Sequence, residues 1–280
     1  MTNILEISNV HKSFTSSYTG LSGNTEIELA EILRGVSLNL QAGTVTALIG
    51  SNGSGKSTLF NVISGLLKAD KGKITYYYDG KSYNLNKTPS HRLAGIGIAR
   101  LFQGNNIFLG LSVLDNMLVA DNNRMGEQAW QALFYLKKTR KAELQRVSEA
   151  ESILLELLGE GNPLWEKRHD SAGSLSLGQQ RLLAFARLFM NEKADLFLLD
   201  EPCAGVNEAI REKMVEMIQA LKTNGKTVLL IEHNMDFARR TAEDAYYLED
   251  GKVSVFGEIN DVLMHENVRV NYLGEKNGIV

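Results

Sequence analysis

Nine consecutive residues, Gly50-Ser-Asn-Gly-Ser-Gly-Lys-Ser-Thr58, hold the densest concentration of chemistry in the chain. Gly50, Gly55, Lys56 and Ser57 fit the pattern G-x-x-x-x-G-K-[ST]. A loop of this kind wraps backbone N–H groups around phosphate oxygens, and its glycines permit the tight path. Lys56 is then the cation that reaches the β- and γ-phosphates, and the Ser57 hydroxyl is a ligand for Mg²⁺. We read Ser51, Asn52, Gly53, Ser54, Gly55, Lys56, Ser57 and Thr58 as nucleotide-binding. A second stretch, Leu196-Phe-Leu-Leu-Asp200-Glu201, is an apolar run ending in two carboxylates. Asp200 is suited to hold Mg²⁺ through water, and Glu201 to orient and polarise an attacking water. The plainer readings are a Gly/Ser-rich turn and a solvated acidic turn. The two stretches together favour the chemical reading.

The flanking elements suit these roles. Thr44–Ile49 is a short apolar run, the pattern of a buried strand, and it leads into the loop. Leu59, Phe60 and Ile63 follow at helical spacing, so a helix N-terminus adds its positive end to the phosphate site. Further strands are expected at Ile4–Val10, Val36–Leu40, Ile74–Tyr78, Leu196–Leu199 and Thr227–Ile231. Gly43 marks a turn, and Thr15–Glu26, polar with Gly20 and Gly23, reads as a loop. Ala245–Leu248, Asp250-Gly251 and Lys252–Val255 read as a hairpin. Helices are expected from about Gln179 and near Ala209–Leu221. From Ser112 to about Leu158 the period is helical, with Val113, Met117 and Leu118 in one stripe and Ile153, Leu154, Leu157 and Leu158 in another. Strands alternating with helices imply an α/β fold with a mostly parallel sheet.

A phosphate cradle alone is shared by kinases, GTPases and motors. The segment Leu175-Ser176-Leu177-Gly178-Gln179 narrows the choice, because it resembles the LSGGQ signature of ABC ATPases. Gln103, in Ala99-Arg-Leu-Phe-Gln103, resembles that family's Q-loop glutamine, and His233, in Ile231-Glu-His233, its switch histidine. The resemblance spans essentially the whole chain. It implies a P-loop NTPase (RecA-like) core, an antiparallel β subdomain and an inserted helical subdomain at about 112–175, all within one ATPase domain over 1–280. It also implies a head-to-tail pair of ATPase subunits, in which Ser176, Gly178 and Gln179 act on ATP held by the opposite subunit. Glu201 would act on the water, Lys56, Mg²⁺ and His233 on the γ-phosphate charge, and Gln103 on Mg²⁺ and the water. The partners implied are a second ATPase subunit, identical or related, and integral-membrane permease subunits on whose cytoplasmic side the chain sits. An ordinary capped helix at Ser176 is the structural alternative for that segment.

Three positions depart from the family pattern. Leu177 replaces a glycine, and Asn207 stands where aspartate is common. Phe14 is the first candidate to stack on adenine, with Tyr18 the second. Leu-Ser-Leu-Gly-Gln-Gln-Arg181, Pro202-Cys-Ala-Gly205, Ala99-Arg-Leu-Phe-Gln103 and Asn267-Val-Arg-Val-Asn-Tyr-Leu-Gly274 resemble ATPases of branched-chain amino-acid, amide and urea importers. An exporter ATPase for lipid or drug is the second reading, and a soluble ATPase acting on nucleic acid or ribosomes the third. Ile107, Phe108, Leu109 and Leu111 are unusually apolar for a loop and suit either a subdomain joint or a permease groove. Lys137, Lys138, Arg140, Lys141 and Arg146 read as a solvated helix face, with lipid headgroups as the sharper alternative.

Bulk composition agrees. At 280 residues and 44% hydrophobic, the chain can bury a sizeable core, which excludes global disorder. A net charge of -3 argues against a dedicated nucleic-acid binder, and none is expected as a partner. The lone Cys203 suits a reducing compartment. MTNILEISNV has neither a basic nor an apolar leader region, and no window reaches bilayer length, so a membrane role is expected through a partner.

Overall fold

The computed structural model describes residues 2–19, 25–104, 106–120 and 136–271, excepting the side chains of 16–19, 25–28, 136–140, 142 and 271. In chain order the strands are β1 (Asn3–Thr19), β2 (Thr25–Gln41), β3 (Val45–Ile49), β4 (Lys71–Tyr78), β5 (Lys81–Asn84), β6 (Ile98–Leu101), β7 (Leu196–Asp200), β8 (Thr227–Ile231), β9 (Asp244–Glu249) and β10 (Lys252–Glu258). The helices that bear on the site are α1 (Lys56–Ile63), α2 (Val113–Ala120), α3 (Leu136–Leu158), α4 (Pro163–Glu166), α5 (Leu177–Ala186) and α6 (Glu208–Thr223). Later come α7 (Met235–Thr241), α8 (Ile259–Met264) and α9 (Glu266–Asn271).

Two sheets organise the molecule. The larger runs β10-β9-β3-β8-β7-β6, parallel throughout except for β10. Its inner strands are short apolar runs because both faces are covered. Along β7 the alternation is clean: Leu196 and Leu198 enter one core, Phe197 and Leu199 the other. The first core is closed by α1 and by the antiparallel sheet β2-β1-β4-β5, which contributes Leu5, Ile7, Leu33, Leu38 and Ile74. The second lies under the helices on the opposite face, where Met117, Leu154, Phe185 and Met214 meet. The mixed α/β fold with an antiparallel β layer is the one expected.

The sequence reading of Thr15–Glu26 as a loop is corrected. β1 runs on to Thr19 and β2 begins at Thr25, paired from Phe14↔Ala30 to Thr19↔Thr25. Thr and Tyr favour strands, but Thr15-Ser-Ser-Tyr-Thr19 lacks the apolar alternation of a half-buried strand and so resembles a polar loop, although Glu26-Ile27-Glu28-Leu29 does alternate. β5 and β6, each four residues long, were not anticipated. The expected hairpin forms as β9–β10 around Asp250 (φ 46°) and Gly251 (φ 73°), the left-handed pair that a two-residue turn requires. The helical stretch after Ser112 is present as α2 and α3, with 121–135 between them outside the described residues. Among the described residues, no helix is long and apolar enough to cross a membrane.

Candidate functional site

A cleft of about 490 Å³ opens where the larger sheet meets the antiparallel layer. Phe14 and Ile32 form one wall. Asn52, Gly53, Gly55, Lys56, Ser57 and Thr58 form the floor, and Gln103, Glu201 and His233 close the far end. Residues expected from four separate motifs thus meet in one place. Phe14 is 41% exposed, with Lys12 Nζ 5.5 Å from its ring centre. The side chain of Tyr18 lies outside the described residues.

The floor is made by the turn from β3 into α1. Gly50 has φ 155°, and a Cβ there would sit 2.2 Å from the Leu248 carbonyl of β9, so only glycine fits. Lys56 opens α1 and is 6% exposed. Its Nζ donates to the carbonyls of Gly50 at 2.7 Å and Ser51 at 2.9 Å, which pins the ammonium inside the loop it serves. Burial lowers the Lys56 pKa, while Glu201 and Asp200 act in the opposite sense. Phosphate oxygens would supply the anionic partner that a buried ammonium lacks here.

At the far end, β7 delivers both carboxylates. Asp200 is 3% exposed, and burial raises its pKa against the pull of the nearby Arg100. Arg100 Nη2 lies 3.3 Å from Asp200 Oδ2, whereas Oδ1 has no partner among the described residues. Glu201 then leaves the strand at φ 48°, a left-handed conformation that is costly for a non-glycine residue. Its N–H donates to the Ile231 carbonyl of β8 at 3.0 Å. This turn places the carboxylate between two expected residues: Gln103 Nε2 donates to Oε2 at 3.2 Å, and His233 Nε2 lies 3.2 Å from Oε1.

Two buried charged residues hold this end together, and neither was singled out from sequence. Arg181 of α5 is 3% exposed and donates to five carbonyls: Phe102 (2.9 Å), Gly104, Asp200 (2.8 Å), Glu201 (2.7 Å) and Pro202 (3.2 Å). Those carbonyls flank Gln103 on one segment and Glu201 on the other. Glu232 is 2% exposed and accepts from the N–H groups of Cys203 (3.1 Å), His233 (3.0 Å) and Asn234 (3.2 Å). Each is a charge at the edge of an apolar run, Arg181 before Leu182-Leu183-Ala184-Phe185 and Glu232 after Leu229-Leu230-Ile231, and that is a weak sequence signal.

The signature residues are elsewhere. Ser176 caps α5: Ser176 Oγ accepts from Gln179 N at 3.3 Å, and Gln179 Oε1 accepts from Ser176 N at 2.9 Å. The capped-helix reading therefore holds for this chain, and it leaves the chemical one open. Gly178 packs on α6, where an added Cβ would meet Ile210 Cδ1 at 2.6 Å. Leu177 is 74% exposed. None of Ser176, Gly178 and Gln179 lines the cleft. Asn207 caps α6 through Oδ1, which accepts from Ile210 N at 3.0 Å.

A strand–loop–helix phosphate cradle facing a strand-end carboxylate pair defines a P-loop ATPase. A family profile for ABC transporters matches residues 33–204. The chain is 37% identical over 247 residues to a probable branched-chain amino acid transport ATP-binding protein LivG of Methanocaldococcus jannaschii, covering 87% of this chain and 91% of that protein. A solved ATP-binding cassette of an ABC transporter in its ADP conformation superposes with a TM-score of 0.75 at 33% identity, covering 98% of this chain and all of that one. A dimeric cassette in a post-hydrolysis state with ADP and Pi gives 0.68 at 26% identity, covering 91% of this chain and 98% of that one. The chain belongs to the ABC transporter family, as a nucleotide-binding subunit that hydrolyses ATP.

Proposed function

We propose that this chain powers uptake of branched-chain amino acids or related small polar solutes through a partner permease. Its closely related transport ATPases support that cargo, and the site geometry supports the chemistry. The carrying observation is the Glu201 carboxylate held within 3.2 Å of both Gln103 and His233 at the end of the nucleotide cleft. A water between Glu201 and the γ-phosphate would be oriented by Glu201 and Gln103; as its oxygen attacks the γ-phosphorus, Glu201 would take up its proton, the bond to the β–γ bridging oxygen would break, and ADP would leave with phosphate as the other product. Lys56 and His233 would meet the charge on the γ-phosphate. Phe14 would stack on adenine, and the N–H groups from Ser51 to Thr58 would bind the phosphates.

The residues suit Mg²⁺. Among the described residues no group of three or more His, Cys, Asp and Glu side chains could cage a metal. Mg²⁺ needs no such cage: one carboxylate with a few other oxygens, completed by phosphates and water, suits it. The Ser57 hydroxyl, the partnerless Asp200 Oδ1 and the Gln103 amide are such donors. Bound there, the ion would neutralise charge on the β- and γ-phosphates.

Ser176, Gly178 and Gln179 would complete the site from a second ATPase subunit, since none of them lines the cleft of its own chain. Residues 1–280 would form one ATPase domain, with about 112–175 as the helical subdomain beside the permease. Phe108 and Leu109, 50% and 53% exposed, are the apolar side chains available to that permease, while Ile107 packs on the core. The assembly would sit on the cytoplasmic face of the cell membrane. Reconstitution with the co-purifying permease should give ATP-dependent accumulation of labelled leucine, isoleucine or valine in vesicles. Glu201→Gln should abolish that accumulation. Export of a lipid or drug, with no amino-acid accumulation, would overturn the importer reading.

A further inference from the structure

We propose that Arg100 is a positioning residue for the metal site: it claims Oδ2 of Asp200 from behind and leaves Oδ1 as the oxygen presented to Mg²⁺. The inference rests on the Mg²⁺ reading above and goes beyond it by naming what orients the carboxylate.

Arg100 lies on β6, three residues before Gln103, with its side chain 7% exposed against 4% for Asp200. Its two terminal nitrogens are bound, while Nε is buried with no partner among the described residues. Nη2 reaches Asp200 Oδ2 at 3.3 Å, and Nη1 donates to the Phe60 carbonyl at 3.2 Å and to Ser64 Oγ. The Phe60 and Phe102 rings lie 5.8 and 4.5 Å from its central carbon. A group anchored at the far end of the P-loop helix and braced by two rings cannot follow Asp200 if that carboxylate rotates. It therefore fixes the rotamer of Asp200. The planar fork matters, because an ammonium could not meet acceptors on α1 and β7 together. The other oxygen, Asp200 Oδ1, is buried and has no partner among the described residues, although a buried carboxylate oxygen ordinarily has one. A water of the metal's shell would supply it.

Two effects oppose each other. A fixed guanidinium repels a nearby divalent cation, which would weaken metal binding. Orientation of a ligand by an outer partner strengthens it, typically by about 10–100-fold. Arg100 touches the carboxylate on the side away from the partnerless oxygen, so orientation should prevail.

The test uses the full chain saturated with ADP and Mn²⁺ as the probe, with free Mn²⁺ followed by electron paramagnetic resonance. Arg100→Met should weaken Mn²⁺ binding at least about 10-fold, while ADP affinity in EDTA and the melting temperature stay near wild type. Arg100→Lys keeps the charge and loses the fork, and should fall between the two. Mn²⁺ affinity within twofold of wild type, or tighter, in Arg100→Met would overturn the proposal. So would a parallel loss of metal-free ADP binding and melting temperature in both variants, which marks a merely structural role. Asp200→Asn separates the layers: if it too binds Mn²⁺ normally, the metal-site reading fails, whereas its loss beside a normal Arg100→Met removes only the role of Arg100.

Discussion

The nucleotide cleft and the signature loop are built on opposite principles. Around the cleft, charged side chains are buried and held by several backbone groups at once: Arg181 by five carbonyls distant in sequence, Glu232 by the N–H groups of Cys203, His233 and Asn234, and Lys56 by its own loop. At the signature loop, Ser176 and Gln179 satisfy each other locally, and Leu177 is 74% exposed. In one region the buried charges are satisfied within a single chain. The other is a self-contained helix cap displayed on the surface. The contrast teaches that cis-acting chemistry needs a rigid frame, whereas a group meant for a second subunit needs only a stable, accessible helix end. Arg181 joins the two, since it opens from the signature helix and ends on the carbonyls beside Gln103 and Glu201.

The largest effect should come from the cleft. Glu201→Gln retains the shape of the carboxylate and loses the proton acceptor, so turnover should fall by on the order of 10²–10⁴-fold while ATP binding survives. Light scattering should then detect an ATP-trapped dimer. Wild-type turnover would remove Glu201 from the chemistry. Lys56→Ala should weaken ATP binding by about 10–100-fold, the worth of a hydrogen bond to a charged group, as measured by calorimetry. Arg181→Met should strand carbonyls that it now serves, lowering the melting temperature by the equivalent of several kcal/mol at about 1–3 per unsatisfied group. If stability held and only ATPase fell, Arg181 would be a coupling element rather than part of the frame. Ser176→Ala should cost the isolated chain about 1 kcal/mol as a lost helix cap. A further loss confined to the ATP-bound dimer would reveal its second role. The smallest effect is expected for Leu177→Gly: an exposed first-turn position should lose less than about 1 kcal/mol and keep its ATPase. A large loss of ATPase would show that Leu177 itself contacts the partner or the nucleotide.

Permease association can be probed at Phe108, which is 50% exposed. Phe108 lies 5.4 Å from the Arg187 guanidinium, so aspartate at 108 would gain a cation instead of standing unpaired. Alanine is the cleaner probe of permease association there, because it removes the apolar surface without creating an ion pair.

Much of the site was legible from sequence because phosphate chemistry is encoded locally. Gly50, Lys56 and Ser57 sit within one loop, and a short apolar run fixes where Asp200 and Glu201 emerge. Gln103 and His233 are single residues with no local pattern and were reached only through the order of motifs. Arg100, Arg181 and Glu232 escaped because their partners are backbone groups or carboxylates brought in by tertiary packing. Arg181 and Gly104 are neighbours in space although 77 residues apart in the chain. The outer part of the β1–β2 ribbon was missed for a different reason: Thr15-Ser-Ser-Tyr-Thr19 lacks the apolar alternation that betrays a strand against a core, and the alternation at Glu26-Ile27-Glu28-Leu29 comes only after it.

The central position of β3 also bears on how the protein is made. Its hydrogen-bonding neighbours are β8 and β9, as in Val45↔Val228 and Ala47↔Ala245. The strand that carries the phosphate loop is therefore translated well before its sheet partners and waits for β8 and β9 to follow. Long-range parallel pairing of this kind is slow to form and leaves apolar segments open to aggregation meanwhile. Stalled nascent chains ending before Asp244 should not retain ATP, and β3 is a natural client segment for chaperones during synthesis.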